Sequence, residues 1–292
     1  MNAPQRAGVA GMSTGMLPFY LPASDGQRFC LLHLPRPGRA SRGGIVYLHP
    51  LAEEMNKSRH VAASQARAFA QAGYSVLQID LYGCGDSSGN FADARWAIWR
   101  NDVHLACAWL APRVDGRLSL WGLRLGALLA LDFSAQQSLP LERLVLWQPE
   151  LAGRRCLDRF LRLGLASGML QGSSDAPDAR AMLATGKPIE VAGYTLSAAM
   201  ARDLDAIAPA PPAVPVYWLH YSSNHAPPPA AVQQAARWRD NGAAVHLACF
   251  DDGAFWQSGE LLACPHLLAA TRRLCADWLC DDSLAERPGH EC

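Results

Sequence analysis

The chain has 292 residues, half of them hydrophobic, which suffices for one large α/β domain with an insertion or for two small domains. Its 26 basic and 26 acidic side chains balance, so charge gives no reason to expect a nucleic-acid or anionic-membrane partner. No stretch reaches the roughly 18 apolar residues of a membrane-spanning helix. Residues 1–16 lack the apolar run of a signal peptide. We therefore predict a cytoplasmic protein with a disordered N-terminus.

The cysteine pattern supports this compartment. The nine cysteines are odd in number, and no two have the Cys-x-x-Cys spacing. Several, such as Cys107, lie in apolar runs, which is typical of reduced thiols in a cytosolic protein. Cys275, Cys280, His290 and Cys292 lack the regular spacing of a zinc site. We predict neither a metal nor a cofactor.

The predicted elements begin with a hairpin and continue as alternating strands and helices. Residues 17–21 and 28–34 read as antiparallel strands around a Ser-Asp-Gly turn. The elements that follow are strand 44–49, helix 57–73, strand 74–81, helix 91–110, a strand and helix within 117–137, and strand 143–147. This alternation predicts a parallel sheet covered by helices on both faces.

The alternation stops between residues 151 and 213. This stretch contains a helix pattern at 156–165, a Gly/Ser/Asp loop at 168–178 and a short helix from about Ser197. We predict that residues 151–213 are an inserted lid. The sheet pattern returns in strand 214–221, helix 230–241, strand 244–250 and helix 265–280, before a loose tail at 281–292. Residues 17–150 and 214–280 are predicted to form the core.

A strand that turns directly into a helix occupies residues 119–129. Gly122 and Gly126 have the spacing of the two glycines in Gly-x-Ser-x-Gly, the nucleophile elbow of α/β-hydrolases. The order of elements also resembles that of an α/β-hydrolase, so we predict this fold with about eight mostly parallel strands and a lid. The nucleophile position, however, holds Arg124, and a guanidinium does not attack an acyl carbon.

The part of the site that binds an oxyanion is predicted to be intact. α/β-Hydrolases use the N–H of the residue after the nucleophile and one from the loop after the third strand, here Leu125 and Leu51. Pro50, which follows His49, has no N–H, but the donor belongs to the next residue. The helix after Arg124 also points its positive end at the site.

The acid and base of a Ser-His-Asp triad are missing from their usual positions. The loop after strand 214–221 has Ser-Ser-Asn at 222–224 and no carboxylate. In the loop after the last strand, Phe255 or Trp256 occupies the place of the histidine. With the serine also replaced, we predict that the triad mechanism is absent.

The Gly-rich loop 80–89 contains a second candidate nucleophile. Cys84 could act if its thiolate formed near a cation, although a small buried thiol is the commoner case. Asp86 and Ser87 are predicted to hold backbone groups in this loop, which shapes the pocket wall.

Four histidines are candidate general bases: His49, His60, His220 and His225. His220 is the best placed, because it ends a strand and ligands in α/β sheets bind at the carboxyl ends of strands. Each is equally compatible with a structural, hydrogen-bonded histidine.

Two glutamates affect the interpretation of Arg124. Glu53 and Glu54 lie in the loop expected to pass over the elbow, where a carboxylate would pair with the guanidinium in bidentate fashion. In one interpretation this ion pair fills an inactive site. In the other, Arg124, the helix N-terminus and the N–H groups bind a carboxylate or phosphate. The sequence leaves both open, since an ionised group at a pocket floor is costly without a partner.

Six segments resemble one α/β-hydrolase subgroup, the exosortase A system-associated hydrolase 2 family. They are YLHPLAEEMNKSR (47–59), QIDLYGCGDSSG (78–89), LWGLR (120–124), LWQP (146–149), EVAGYTLS (190–197) and AFWQ (254–257). The resemblance covers residues 17–280. It implies an α/β-hydrolase fold, an elbow arginine that is a family feature, and a role in bacterial exopolysaccharide synthesis and PEP-CTERM protein sorting. It implies no particular substrate.

Two functions are compatible with these observations. The first is a hydrolase of an acyl or ester-type small molecule that works without a Ser-His-Asp triad. Its pocket is predicted to combine the elbow, the oxyanion donors and their neighbours: Arg124, Leu51, Leu125, Glu53, Glu54 and loop 80–89. The alternative is a catalytically inactive protein that binds an anionic ligand or a protein of the exopolysaccharide and exosortase pathway.

Overall fold

The computed structural model of the chain describes residues 15–36, 41–114, 117–136, 139–170, 178–208 and 211–279. Residues 1–14 of the predicted disordered N-terminus and the predicted tail at 281–292 lie outside these ranges. No helix within the described ranges is both long and apolar enough to cross a membrane.

The strands of the described residues are β1 (Met16–Ala23), β2 (Gly26–His33), β3 (Gly44–Leu48), β4 (Ser75–Ile79), β5 (Leu118–Leu123), β6 (Leu141–Trp147), β7 (Ile189–Val191), β8 (Tyr194–Leu196), β9 (Val216–Tyr221) and β10 (Val245–Phe250). Eight of them form one sheet in the order β1-β2-β4-β3-β5-β6-β9-β10. The pairs β1–β2 and β2–β4 are antiparallel, and the other neighbours in this sheet are parallel. The predicted hairpin and mostly parallel eight-stranded sheet are confirmed.

The helices are α1 (Glu53–Gln71), α2 (Trp96–Leu110), α3 (Leu125–Gln136), α4 (Gly153–Leu170), α5 (Ala179–Ala184), α6 (Ala198–Ala206), α7 (Pro229–Asp240), α8 (Pro265–Leu274) and α9 (Ala276–Leu279). Successive strand side chains point to opposite faces of the sheet. In β3, Val46 and Leu48 pack in the core layer that contains α2 and α3. Ile45 and Tyr47 pack in the layer that contains α1 and α8. Helices therefore cover both faces, as predicted.

Two helix boundaries differ from the prediction in ways that concern the site. α1 begins at Glu53 rather than at residue 57, because acidic side chains stabilise the positive end of a helix and favour its start there. Glu54 therefore lies on a helix rather than in a loop. The predicted final helix is interrupted at Cys275, between α8 and α9.

The segment between β6 and β9 contains more regular structure than predicted. α4 extends to Leu170, so it includes the first part of the predicted loop 168–178, whereas residues 171–177 lie outside the described ranges. α5 and the β7–β8 hairpin were not predicted. Each strand of this hairpin has only three residues, too few for an alternating pattern to be recognised. The role of residues 151–213 as a lid stays a prediction.

Candidate active site at the turn between β5 and α3

The turn from β5 to α3 brings backbone segments into close contact. Arg124 occupies the turn with φ 57°, a left-handed conformation that costs about 1–3 kcal/mol and is concentrated at functional sites. A Cβ at Gly122 would lie 2.5 Å from the Ala127 backbone, and one at Gly126 would overlap the Leu48 carbonyl oxygen. Both positions therefore require glycine, as in a nucleophile elbow.

The Arg124 side chain is buried between two carboxylates, with 3% of the residue exposed. Its Nη2 lies 2.6 Å from Glu150 Oε1 and 3.3 Å from Glu54 Oε1. The guanidinium carbon also lies 5.4 Å from the centre of the Trp256 ring, within the range of a cation–π interaction. Of the two glutamates considered from the sequence, Glu54 is the partner of Arg124. Glu53 instead pairs at 3.0 Å with a lysine of its own helix.

Sequence reasoning missed Glu150, which follows β6 and is 5% exposed. Its Oε1 also accepts a 2.5 Å hydrogen bond from Arg159 Nη1 on α4. Its backbone N–H donates to the Arg124 carbonyl oxygen at 3.2 Å, which joins this loop to the elbow. A signal was present, because Glu150 comes shortly after the strand beside the elbow strand, at the sheet edge where α/β proteins bind ligands. The sequence analysis considered an acid only after β9.

Four ionisable side chains thus form one group, which we call the Arg124 cluster: Glu54, Arg124, Glu150 and Arg159. Two cations and two carboxylates give it a formal charge of zero. Burial raises the pKa of Glu54, because its ionised form is poorly solvated. The charge and hydrogen bonds of Arg124 oppose this shift and Glu150 reinforces it, with a net upward direction.

A cavity of about 200 Å³ lies beside the Arg124 cluster. Its walls come from the start of α1, the elbow, α4, the β7–β8 hairpin and the loop after β10, and include Leu51, Glu54, Arg124, Phe160, Tyr194 and Trp256. Apolar walls with a few convergent polar groups are typical of small-molecule sites. The volume is below the roughly 300–1,000 Å³ of pockets for drug-sized ligands, so a smaller ligand is favoured.

Two backbone N–H groups near this cavity have no acceptor among the described residues, those of Leu51 and Leu125. Leu51 lines the cavity, and Leu125 begins α3 directly after Arg124. The two segments are in contact, since a Cβ at Gly126 would lie 2.6 Å from the His49 carbonyl oxygen. These are the donors predicted from the sequence, and the N-terminus of α3 adds partial positive charge beside them.

The geometry of this turn agrees with the comparisons. Residues 39–176 match the Hydrolase_4 family model, described as serine aminopeptidase, S33. Est1E from Butyrivibrio proteoclasticus with bound ferulic acid superimposes with a TM-score of 0.67 at 16% identity, over 89% of this chain and 99% of that chain. The chain has the α/β-hydrolase fold.

Two further α/β-hydrolases have the same fold. Alpha/beta hydrolase domain-containing protein 10 from mouse has a TM-score of 0.57 at 17% identity, over 90% of this chain and 100% of its own. A serine hydrolase without a lid from Xanthomonas campestris has a TM-score of 0.56 at 17% identity, over 92% and 98%. At these identities the likeness concerns the fold alone. No protein of curated function matches the chain by sequence.

In this α/β-hydrolase the loops after β9 and β10 make structural contacts. After β9, the Ser222 hydroxyl donates to the Ala226 carbonyl oxygen at 2.6 Å. After β10, the Asp252 carboxylate accepts from a backbone N–H at the start of α8 at 2.6 Å, so it caps that helix. Phe255 and Trp256 are 1% and 3% exposed and fill the space beside the elbow. That the chain works without a triad stays a prediction.

His220, the best-placed candidate base, lies at the end of β9 and close to the elbow. Gln148 uses its Oε1 to accept from the Tyr221 N–H at 2.7 Å, so its Nε2 faces His220 Nε2 at 3.4 Å as a donor. This hydrogen bond assigns the proton of a neutral His220 to Nδ1, which is buried without a partner among the described residues. Burial, together with the charge of Arg124, lowers the pKa of His220. The imidazole is therefore neutral at pH 7.

The other candidate histidines are held or exposed away from the Arg124 cluster. His49 donates from Nδ1 to the Pro50 carbonyl oxygen at 2.8 Å and accepts at Nε2 from the Leu81 N–H at 3.2 Å. Burial lowers the pKa of His49, so it joins two loops as a neutral ring. His60 and His225 are exposed.

Cys84 is buried beneath loop 80–89 and is not among the residues that line the cavity in the described structure. Burial raises the pKa of its thiol far above the ordinary value, and the carboxylates of Asp80 and Asp102 act in the same direction. Since the thiolate is the reactive form, these contacts keep Cys84 in its unreactive state at neutral pH.

Asp86 and Ser87 contribute to the conformation of loop 80–89. Ser87 Oγ donates to the Asp80 carbonyl oxygen at 2.6 Å and accepts from the Phe29 N–H at 2.8 Å. Asp86 contributes its backbone N–H, which donates to the Asp80 carboxylate at 3.1 Å. Ser87 therefore binds backbone groups as predicted, whereas the contact of Asp86 comes from its main chain.

Proposed function

We propose that this α/β-hydrolase binds a small acyl compound in the cavity beside the Arg124 cluster and hydrolyses its ester or thioester bond without a Ser-His-Asp triad. The observation that carries the proposal is the pair of N–H groups, at Leu51 and Leu125, that lack acceptors in the described structure beside a cavity of about 200 Å³. Because of the resemblance to the exosortase A system-associated family, we propose that the substrate belongs to exopolysaccharide synthesis or PEP-CTERM protein sorting.

The chemistry follows from the position of these donors. The carbonyl oxygen of a bound ester gains negative charge as a nucleophile adds to its carbon, and two fixed N–H groups stabilise that charge in the transition state. Removal of one such donor typically costs about 2.7–4 kcal/mol of transition-state stabilisation. The apolar side chains of Leu51 and Phe160 in the cavity wall suit the acyl portion of the substrate.

A panel of activated esters and thioesters tests the proposal. We expect turnover above the buffer rate, and a Leu51→Pro variant, which lacks the N–H, should lose about 10²–10³-fold in kcat. Leu51→Ala retains the N–H and is the matched control, and thermal melts identify variants that fail to fold. An absence of turnover across the panel would refute the proposal, as would a folded Leu51→Pro variant with unchanged kcat.

A catalytically inactive anion-binding protein is the second candidate. It is favoured by the presence of Arg124 at the nucleophile position and by the cations Lys57 and Arg159 in the cavity wall. Because the Arg124 cluster is neutral overall, an added anion is best accommodated when Glu54 is protonated. Since the pKa of Glu54 is raised, binding should strengthen as the pH falls.

Calorimetric titration with acetate, octanoate and inorganic phosphate at pH 5 and pH 8 separates the two candidates. Saturable binding that is tighter at pH 5, without turnover of any ester, favours the binding protein. Arg159→Met should then weaken binding about tenfold, the equivalent of about 1.4 kcal/mol. Turnover that depends on the Leu51 N–H favours the enzyme.

A further inference from the structure

The two carboxylates that face Arg124 are held very differently. Glu150 Oε1 lies 2.6 Å from Arg124 Nη2 and 2.5 Å from Arg159 Nη1, and its side chain is 6% exposed. The Glu54 oxygens lie 3.3–3.4 Å from the Arg124 nitrogens, and the Glu54 side chain is 17% exposed. Charge-assisted hydrogen bonds are normally about 2.7–2.9 Å long. Glu150 is therefore the tight partner, and Glu54 is only loosely bound.

This difference leaves Glu54 available for proton transfer. Glu150 accepts from both guanidinium groups, so its oxygens are committed to the ion pairs. Glu54 faces Arg124 from the elbow, Glu150 from the loop after β6, and Arg159 with the buried Cys156 thiol from α4. Burial is the largest influence on Glu54 and raises its pKa toward neutrality, which is the direction that suits a general base near pH 7.

The position of Glu54 is also suitable. It lines the cavity, and it lies on the first turn of α1, where its N–H donates to the Leu51 carbonyl oxygen at 3.1 Å. The carboxylate and one predicted oxyanion donor therefore belong to the same short segment. Arg124, which contacts Glu54, directly precedes Leu125, the source of the second donor.

We propose that Glu54 is the general base that activates water for hydrolysis in this cavity, and that Arg124 is a positioning residue that orients the Glu54 carboxylate. This assignment rests on the proposed hydrolase function. It gives the arginine at the elbow a role that does not require it to act as a nucleophile.

The proposed step is balanced for an ester or thioester and one water molecule. Glu54 takes a proton from water while the water oxygen bonds to the acyl carbon, and the carbonyl electron pair moves to the oxygen held by the N–H groups of Leu51 and Leu125. When the tetrahedral intermediate collapses, the bond to the alcohol or thiol breaks. Glu54 then returns its proton to that leaving group. The products are a carboxylic acid and an alcohol or thiol.

Glu54→Gln tests the assignment, with Glu190→Gln on the exposed edge of β7 as the matched control. We expect Glu54→Gln to lower kcat by about 10²–10⁴-fold, and Glu190→Gln to leave kcat unchanged. In the wild type, kcat/KM should rise with pH through the raised pKa of Glu54, and this acidic limb should be lost from the residual activity of Glu54→Gln. A purely structural role for Glu54 would leave the pH profile in place.

A Glu54→Asp variant serves if the glutamine variant does not fold. It retains the charge but shortens the side chain, so kcat should fall while the acidic limb persists. Wild-type turnover with full activity of Glu54→Gln would overturn this assignment alone, as would a wild-type kcat/KM that is independent of pH between 4 and 7. A wild type that turns over no ester or thioester would overturn both this assignment and the proposed function.

Discussion

Replacement of Arg124 by methionine removes a buried cation and leaves much of its volume in place. In the native protein this side chain is 4% exposed and contacts the carboxylates of Glu54 and Glu150. After the substitution Glu150 keeps its bond to Arg159, so Glu54 is the carboxylate that loses its cation. The backbone strain at φ 57° is unchanged, since methionine also has a Cβ.

The expected loss of stability is about 3 kcal/mol at pH 8. Removal of one partner from a buried ion pair typically costs about 3–5 kcal/mol, because the remaining charge is left without compensation. The lower end of this range applies here for two reasons: Arg159 still neutralises Glu150, and the Glu54 side chain is 17% exposed, so water partly solvates its charge.

The loss should depend on pH, and its sign follows from Glu54. Its pKa in the folded protein is already raised, and removal of Arg124 raises it further. A carboxyl with a folded pKa above its unfolded value opposes folding above the folded pKa, and has no effect below the unfolded value of about 4.3. The destabilisation should therefore be largest at pH 8 and shrink as the pH falls toward 4.

Urea unfolding followed by tryptophan fluorescence at pH 8 and pH 5 measures the effect. Arg272→Met is the control, because Arg272 is exposed and has no ion-pair partner among the described residues; it should change the free energy of unfolding by less than about 0.5 kcal/mol. Addition of Glu54→Gln to Arg124→Met should recover most of the loss at pH 8. A loss below about 1 kcal/mol, or one equal at both pH values, would refute this account of the cluster.

Three further predictions concern the elbow and the thiols. Arg124→Ser restores the elbow serine but provides no histidine in the loop after β10, so p-nitrophenyl acetate should show no burst; a clear burst would reveal a hidden base. Gly126→Ala places a methyl group against the backbone of β3 and should lower stability by about 3 kcal/mol or more in thermal melts. The matched Gly259→Ala change, where a Cβ meets no atom within 4 Å, should be nearly neutral, and equal effects would contradict the packing argument. Because burial raises the pKa of Cys84, mass spectrometry after brief iodoacetamide treatment at pH 8 should find the half-exposed Cys249 alkylated before Cys84.

Local sequence determined the features that depend on short-range spacing. The glycines around Arg124 predicted a tight strand-to-helix turn, because only glycine tolerates the backbone contacts that such a turn creates. Alternating apolar strands and amphipathic helices predicted the parallel sheet, and the loop after β3 predicted the Leu51 donor. The three-residue strands of the β7–β8 hairpin escaped prediction, because so short a stretch has no detectable period.

Only the tertiary structure decided the partners of Arg124. Glu53 and Glu54 are equivalent in sequence terms, but adjacent residues on a helix point about 100° apart, so the start of α1 at Glu53 directs Glu54 to the elbow and leaves Glu53 to its lysine. Glu150 and Arg159 are distant from Arg124 along the chain, and they meet it because parallel strands bring their carboxyl ends to one edge of the sheet. Residue spacing along the chain thus determined the fold and the replaced nucleophile, whereas the charge balance of the site arose from long-range contacts that spacing does not encode.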